Sequence, residues 1–395
     1  MRIGFVAVVT GIDRGTERVS VLNGDERDYI ARAEHLLAGA GFTGGGEHDR
    51  MWRTPAYPLL LAALFLPGGR ALWVARTFHA LLGGLVCALL FLLGARLFDR
   101  ETALLAGLYF ACYPPHLYMA GLLLSENLLL PGLLGMALLF LRLTEEGAVR
   151  HAIGCGLLAG GCAMAKPEAA GLIPIAIALS VWLLREKRMA WRQCATALAL
   201  AAFVVIAPWL LRNHRLSGHW TLSTVGGEAF WGGNNEHVLN VPRYRGYWMA
   251  PADMPEQLRQ ARAAGGEIEQ DRFRFRLGIE FLRTHKADLA RLAWYKFTRF
   301  HSVLVQDRRE RWVLLLSYGL LLPFIAAGVA IQSRRLFRAR SGGLLLLALI
   351  LYYHLLAIVF WGANRLRLMI DPALILFGLR TVVDLVRRRH NRHLS

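Results

Sequence analysis

The chain has 395 residues, 55% of them hydrophobic, and its 46 Lys and Arg against 28 Asp and Glu give a formal charge of +18. Soluble globular domains are about 45–50% apolar, glycine included, and seldom gather those residues into long unbroken runs; this chain does so repeatedly, which excludes an ordinary soluble fold. In such a chain a basic excess fits cytoplasmic loops and phosphate-headed lipids rather than nucleic acid.

The first element, "IGFVAVVTGI" (3–12), is too short to cross a bilayer and lacks the cleavage site of a signal peptide. It reads as the last turns of a first transmembrane helix whose start lies upstream. Next comes "NGDERDYIARAEHLLAGAGF" (23–42). Asn23 and Glu26 have capping-box spacing for a helix starting at Gly24. Tyr29, Ala33, Leu36 and Leu37 form its apolar stripe, and Gly39 and Gly41 end it. Its three early acids, Asp25, Glu26 and Asp28, complement the helix dipole by roughly 0.3–1 kcal/mol each. On residue chemistry alone that is their first reading.

"PAYPLLLAALFLP" (55–67) suits a helix lying at the membrane interface. Apolar runs then follow near 74–95, 102–120, 122–142, 152–165, 168–184, 193–211, 312–332, 343–362 and 368–386. Several approach the roughly 20 residues that span a bilayer as a helix. Lipid forces backbone groups to pair within the segment, so these runs predict an all-α polytopic membrane protein. The chain reads as one membrane domain over 1–395, with about nine to ten transmembrane helices, juxtamembrane helices and an external helical loop.

The five cysteines, Cys87, Cys112, Cys155, Cys162 and Cys194, all fall in apolar segments, which argues against a disulfide framework or a zinc site. "GCGLLAGGC" (154–162) is a small-residue face of the kind that brings two membrane helices close together.

The segments 185–192, 333–341 and 387–393 each carry four Lys/Arg, with Glu186 the one acid among them, and should face the cytoplasm together with the C-terminus. Alternation then puts 13–73, 212–311 and 363–367 outside. Within 212–311, residues 267–300 read as an amphipathic helix pair with Phe273, Leu277, Phe281 and Leu282 on one stripe.

Some charges sit where a span would not want them. Lys166 interrupts two apolar runs, and an ionisable residue there is a functional candidate. Arg365 and Arg367 lie on the outer side against the positive-inside trend. Arg76 and Arg212 sit at span ends, where snorkelling is ordinary. Glu126, between two runs, can orient a substrate, share a divalent metal with Asp25, or face water. Asn234 and Asn235, in "GGNNE" (232–236), are either sugar-binding amides or a plain turn. His219 and His237 are isolated, and no metal or other cofactor is assigned.

The ordered set Asp25, Glu26, Tyr29, Ala33, Leu36, Gly39, Gly41, Phe42, Arg53, Pro55, Tyr57 and Pro58 resembles the first external loop of GT-C class, polyprenyl-phosphate-sugar-dependent membrane glycosyltransferases. These are similar to protein O-mannosyltransferases, lipid A aminoarabinose transferases and rhizobial lipopolysaccharide-core sugar transferases. "LSENLLLP" (124–131), "AKPEA" (165–169), "APWLLRNHRLSGHWTLSTVGGEAFWGGNNEH" (207–237) and "NRLRLMIDP" (364–372) extend the resemblance, with Leu366 where an aromatic is usual. It implies a GT-C-like bundle in a cell inner membrane that moves a sugar, on the outer face and with inversion, from a polyprenyl phosphate to a hydroxyl on an envelope lipid, glycan or protein.

By that pattern Asp25 is the general base, with Glu26 the fallback. Arg53, Lys166, Arg212, Arg365 and Arg367 would bind the donor phosphate. Tyr29, Arg76, Glu126, Asn234 and Asn235 would line the substrate site. A transporter of lipid-linked sugars also needs outward cations, but the chain shows no internal repeat of the kind many transporters have. An inactive relative acting as a binding subunit is the remaining alternative.

Overall fold

The computed structural model describes residues 24–45, 49–186, 190–303 and 308–393. The apolar run 3–12 and the expected cap Asn23 lie outside them. The described residues form helices and connecting loops, with no strand among them.

Five helical stretches are long and apolar enough to cross a membrane: Leu72–Leu97, Glu126–Glu146, Pro167–Arg185, Trp191–Ser217 and Arg311–Arg338. Val149–Ala165 and Leu344–Val359 are shorter apolar helices beside them, and Asp371–His393 closes the chain. The run expected as one span over 102–120 is two helices, Arg100–Ala111 and Pro114–Gly121. Proline at the first position of the second helix has no N–H to give to the turn before it, so the helix restarts there. The next helix begins at Glu126 rather than near 122. This leaves a short non-helical turn, 122–125, at one end of the bundle.

Val149–Ala165 packs between Glu126–Glu146 and Trp191–Ser217. Its small-residue face does what its composition predicts. A Cβ on Gly156 would lie 2.3 Å from the carbonyl oxygen of Leu198, and one on Gly160 would lie 2.9 Å from that of Ala202, whereas Gly161 faces open space. Gly156→Val is therefore expected to lower stability at the upper end of the roughly 1–3 kcal/mol typical of overpacking, because the obstacle is backbone. Gly161→Ala should be neutral. Thermal unfolding of the two variants in detergent checks the pair.

At the end of the bundle that holds turn 122–125, helices Gly24–Leu37 and Ala56–Phe65 pack together. A second group of helices lies there too: Gly226–Gly232, Glu236–Asn240, Pro255–Ala263, Glu267–Thr284 and Leu289–Phe300. It has its own small core of Trp231, Val238, Leu239, Met249, Met254, Phe281 and Leu292. The amphipathic pair appears as Glu267–Thr284 and Leu289–Phe300. Its buried stripe includes Arg274, whose guanidinium lies over the Trp52 ring.

Glu267 fastens this group to the first loop: its carboxylate accepts from Met51 N at 2.9 Å, Arg50 N at 2.5 Å and Thr224 Oγ1 at 3.0 Å. On the other side Lys296, fully buried, donates to Asn234 Oδ1 at 2.7 Å and to the carbonyls of Ile358 and Val359 at 3.1 and 3.3 Å. Those carbonyls end helix Leu344–Val359, where unpaired acceptors need donors.

Candidate active site

The first turn of helix Gly24–Leu37 divides its acids by direction. Asp25 and Asp28 are three residues apart and share a face, while Glu26 is turned about 100° away. Glu26 is buried, and its Oε1 accepts from Leu123 N at 2.8 Å, tying the helix to turn 122–125. Tyr29 adds a second tie, its hydroxyl 3.0 Å from Ser125 Oγ.

Asp25 and Asp28 face a run of alternating charges. Arg32 pairs with Asp28 at 3.1 Å. Asp28 accepts from Arg53 Nε at 2.9 Å, and Arg53 Nη2 donates to Asp25 Oδ1 at 2.6 Å. Asp25 Oδ2 accepts from Arg365 Nη1 at 2.6 Å, and Arg365 Nε donates to Glu126. Glu126 pairs with Lys166 at 3.0 Å, and Lys166 with Glu168 at 3.3 Å. Residues more than 300 positions apart thus meet at one end of the bundle. The side chains of Asp25 and Arg365 remain 30% and 32% exposed and that of Arg53 19%, so the centre of the network opens to one side.

Burial pushes the Asp25 carboxyl up, but the neighbouring charges of Arg53 and Arg365 more than offset it and hold it well below the usual carboxylate range. The cation that Asp25 and Glu126 share is the Arg365 guanidinium. Among the described residues no group of three His, Cys, Asp or Glu converges as a metal site.

The other expected site residues divide. Tyr29 lies under the network, with the Arg53 guanidinium 4.9 Å from its ring centroid. Arg76 donates to Gly121 O at 3.1 Å, next to turn 122–125. Arg212 donates to Arg50 O at 3.0 Å and stacks on Trp209, which holds the first loop to the end of helix Trp191–Ser217. Asn234 and Asn235 are buried with their amides committed: Asn234 donates to Phe230 O and Val359 O and accepts from Lys296, while Asn235 caps helix Glu236–Asn240.

Arg367 departs most from the sequence expectation. It is fully buried, paired with Asp371 at 3.0 Å, and its guanidinium carbon lies 3.6 Å from the centroid of the Tyr318 ring. It belongs to the core and not to the network. Asp28, Arg32 and Glu168 are network members that the sequence did not single out as site residues; each lies within three residues of one that it did. A cavity of about 390 Å³ lined by Arg245, Tyr295, Arg299 and His301 lies elsewhere among the loop helices, and no network residue lines it.

The helical bundle shares its fold with solved membrane oligosaccharyltransferases. Residues 53–211 match the family model described as dolichyl-phosphate-mannose-protein mannosyltransferase. The archaeal oligosaccharyltransferase AglB of Archaeoglobus fulgidus, solved with an inhibitory peptide and a dolichol-phosphate, is similar over 100% of this chain and 51% of its own, at a TM-score of 0.56 and 14% identity. The apo form of the Archaeoglobus fulgidus oligosaccharyltransferase gives 100%, 50%, 0.57 and 13%. The chain thus spans about half the length of these solved structures. No curated protein matches it.

Proposed function

We propose that the protein transfers a sugar from a polyprenyl-phosphate donor to an acceptor hydroxyl at the outer face of a cell membrane, with Asp25 at the reacting centre. The observation that carries this reading is the placement of Asp25 between Arg53 and Arg365 at an open end of the bundle. Each arginine uses two of its nitrogens on acids and leaves a third, Arg53 Nη1 and Arg365 Nη2, without a hydrogen bond to a described residue. A lipid phosphate gains negative charge as it leaves the anomeric carbon, and two free guanidinium nitrogens beside a lysine suit that charge. The matched family description and the dolichol-phosphate in the AglB structure agree in kind with such a donor.

Asp25, ionised by its neighbours, keeps a lone pair on each oxygen for the acceptor hydroxyl and holds it for attack from the face opposite the phosphate, which inverts the anomeric configuration. The distant aliphatic tail of the donor would lie along the apolar helices. Purified protein in proteoliposomes with a polyprenyl-phosphate sugar and an envelope lipid extract tests this: a new glycosidic bond is expected. Movement of the lipid-linked sugar between leaflets without bond formation would replace the reading with transport.

A further inference from the structure

The cavity of about 390 Å³ among the loop helices takes no part in the charged network, and its size falls within the roughly 300–1,000 Å³ of small-ligand pockets. Its walls come from the chain at 242–247 and from helix Leu289–Phe300 with the residues just after it. The two walls exchange ring contacts. The Arg245 guanidinium lies 5.1 Å from the centroid of the Tyr295 ring, and that of Arg299 lies 5.1 Å from the Tyr247 centroid. Gly246, at a φ of +69°, holds the walls together, because a Cβ there would lie 2.3 Å from Tyr295 O. Its carbonyl also accepts from Gly362 N at 2.9 Å.

Two arginines on tyrosine faces are ordinarily a solvated cation–π pair. Their uncompensated charge argues for more. Neither Arg245 nor Arg299 makes a hydrogen bond or ion pair with a described residue, and no acid is among the described residues that line the cavity. Other arginines of the loop helices do find acids: Arg259 pairs with Glu256, and Arg291 with Asp288 at 2.8 Å. Contact with a ring occupies the flat face of a guanidinium and leaves the donors along its edge, in the fork that fits phosphate bidentately. His301, also on the wall, is a fixture and not a ligand, since its Nδ1 lies 2.9 Å from Tyr318 Oη and its Nε2 2.9 Å from His354 Nε2. Those contacts place the cavity against the membrane bundle, because Tyr318 belongs to the span Arg311–Arg338 and His354 to the apolar helix Leu344–Val359. Trp294 and Trp312, close by in the chain, are exposed, as tryptophans at head-group level are.

We propose that this cavity is a phosphate site, separate from the charged network, and that the head group of an anionic membrane lipid fills it. Arg245 and Arg299 grip the phosphate from the two walls, and the lipid tails lie along the apolar helices.

The test uses the full chain, purified in detergent and stripped of lipid. Phosphatidylglycerol is the probe, and diacylglycerol with the same chains is its phosphate-free counterpart. Native mass spectrometry follows the lipids retained. The wild type is expected to hold a phosphatidylglycerol that Arg245→Gln/Arg299→Gln binds at least about 10-fold more weakly. Arg259→Gln/Arg291→Gln removes the same charge from residues that do not line the cavity, and should bind as the wild type does. A second measurement needs no variant to fold. Phenylglyoxal modifies arginines, and phosphatidylglycerol should slow its reaction with Arg245 and Arg299 in the wild type, read by peptide mapping. Equal weakening in both double variants, diacylglycerol held as tightly as phosphatidylglycerol, or no protection of the two arginines would each overturn the proposal. Protection by inorganic phosphate as strong as by phosphatidylglycerol would overturn the lipid and leave a site for free phosphate.

Discussion

Asp25→Asn is expected to lower sugar transfer by at least about 10²-fold, since small misplacements of reacting groups alone cost that much. The amide keeps the size of the carboxylate but not its charge or its symmetry. Two guanidinium donors now approach Asp25 at 2.6 Å, one on each oxygen. An asparagine can accept from one and must turn its own N–H groups toward the other, so either Arg53 or Arg365 leaves its place. The fold should persist, because each arginine keeps an anionic partner, Asp28 for Arg53 and Glu126 for Arg365. Turnover and thermal unfolding measured on the same preparation check this. Full transfer by the variant would move the reacting centre elsewhere.

Arg367→Met should be a stability variant of the opposite character. Removing one member of a buried ion pair leaves an uncompensated charge and typically costs 3–5 kcal/mol. Here both Arg367 and Asp371 are fully buried, and Asp371 also accepts from Tyr113 Oη at 3.0 Å. Adding Asp371→Asn to Arg367→Met removes the stranded charge and keeps an acceptor for Tyr113. The double variant should therefore recover most of the loss. Reversible unfolding in SDS and lipid mixtures measures the three proteins, and equal destabilisation of single and double variants would show that the pair contributes through packing rather than charge.

Much of the architecture was legible along the chain because lipid imposes a coarse rule. A backbone in hydrocarbon must be helical and apolar over a fixed length, so runs such as 74–95 and 193–211 announce themselves and reappear in Leu72–Leu97 and Trp191–Ser217. The break at Pro114 was not legible in hydropathy, because the apolar run continues across it; Pro114 and Pro115 end that helix through backbone chemistry. The first-turn acids were visible as a cluster. Their division was not, since it depends on which helix face meets turn 122–125.

The sequence by itself determined that the apolar runs are helical, that the loops at the bundle end are helical, and which kinds of side chain are placed there, since local pattern and composition carry all three. Only the tertiary structure decided which of those side chains meet. Arg365 and Arg367 are two residues apart on a helical turn, about 200° around its axis. One therefore reaches Asp25 and Glu126 across the chain, while the other is driven into the core with Asp371. Long-range packing sets such neighbours, and no short window of residues contains it.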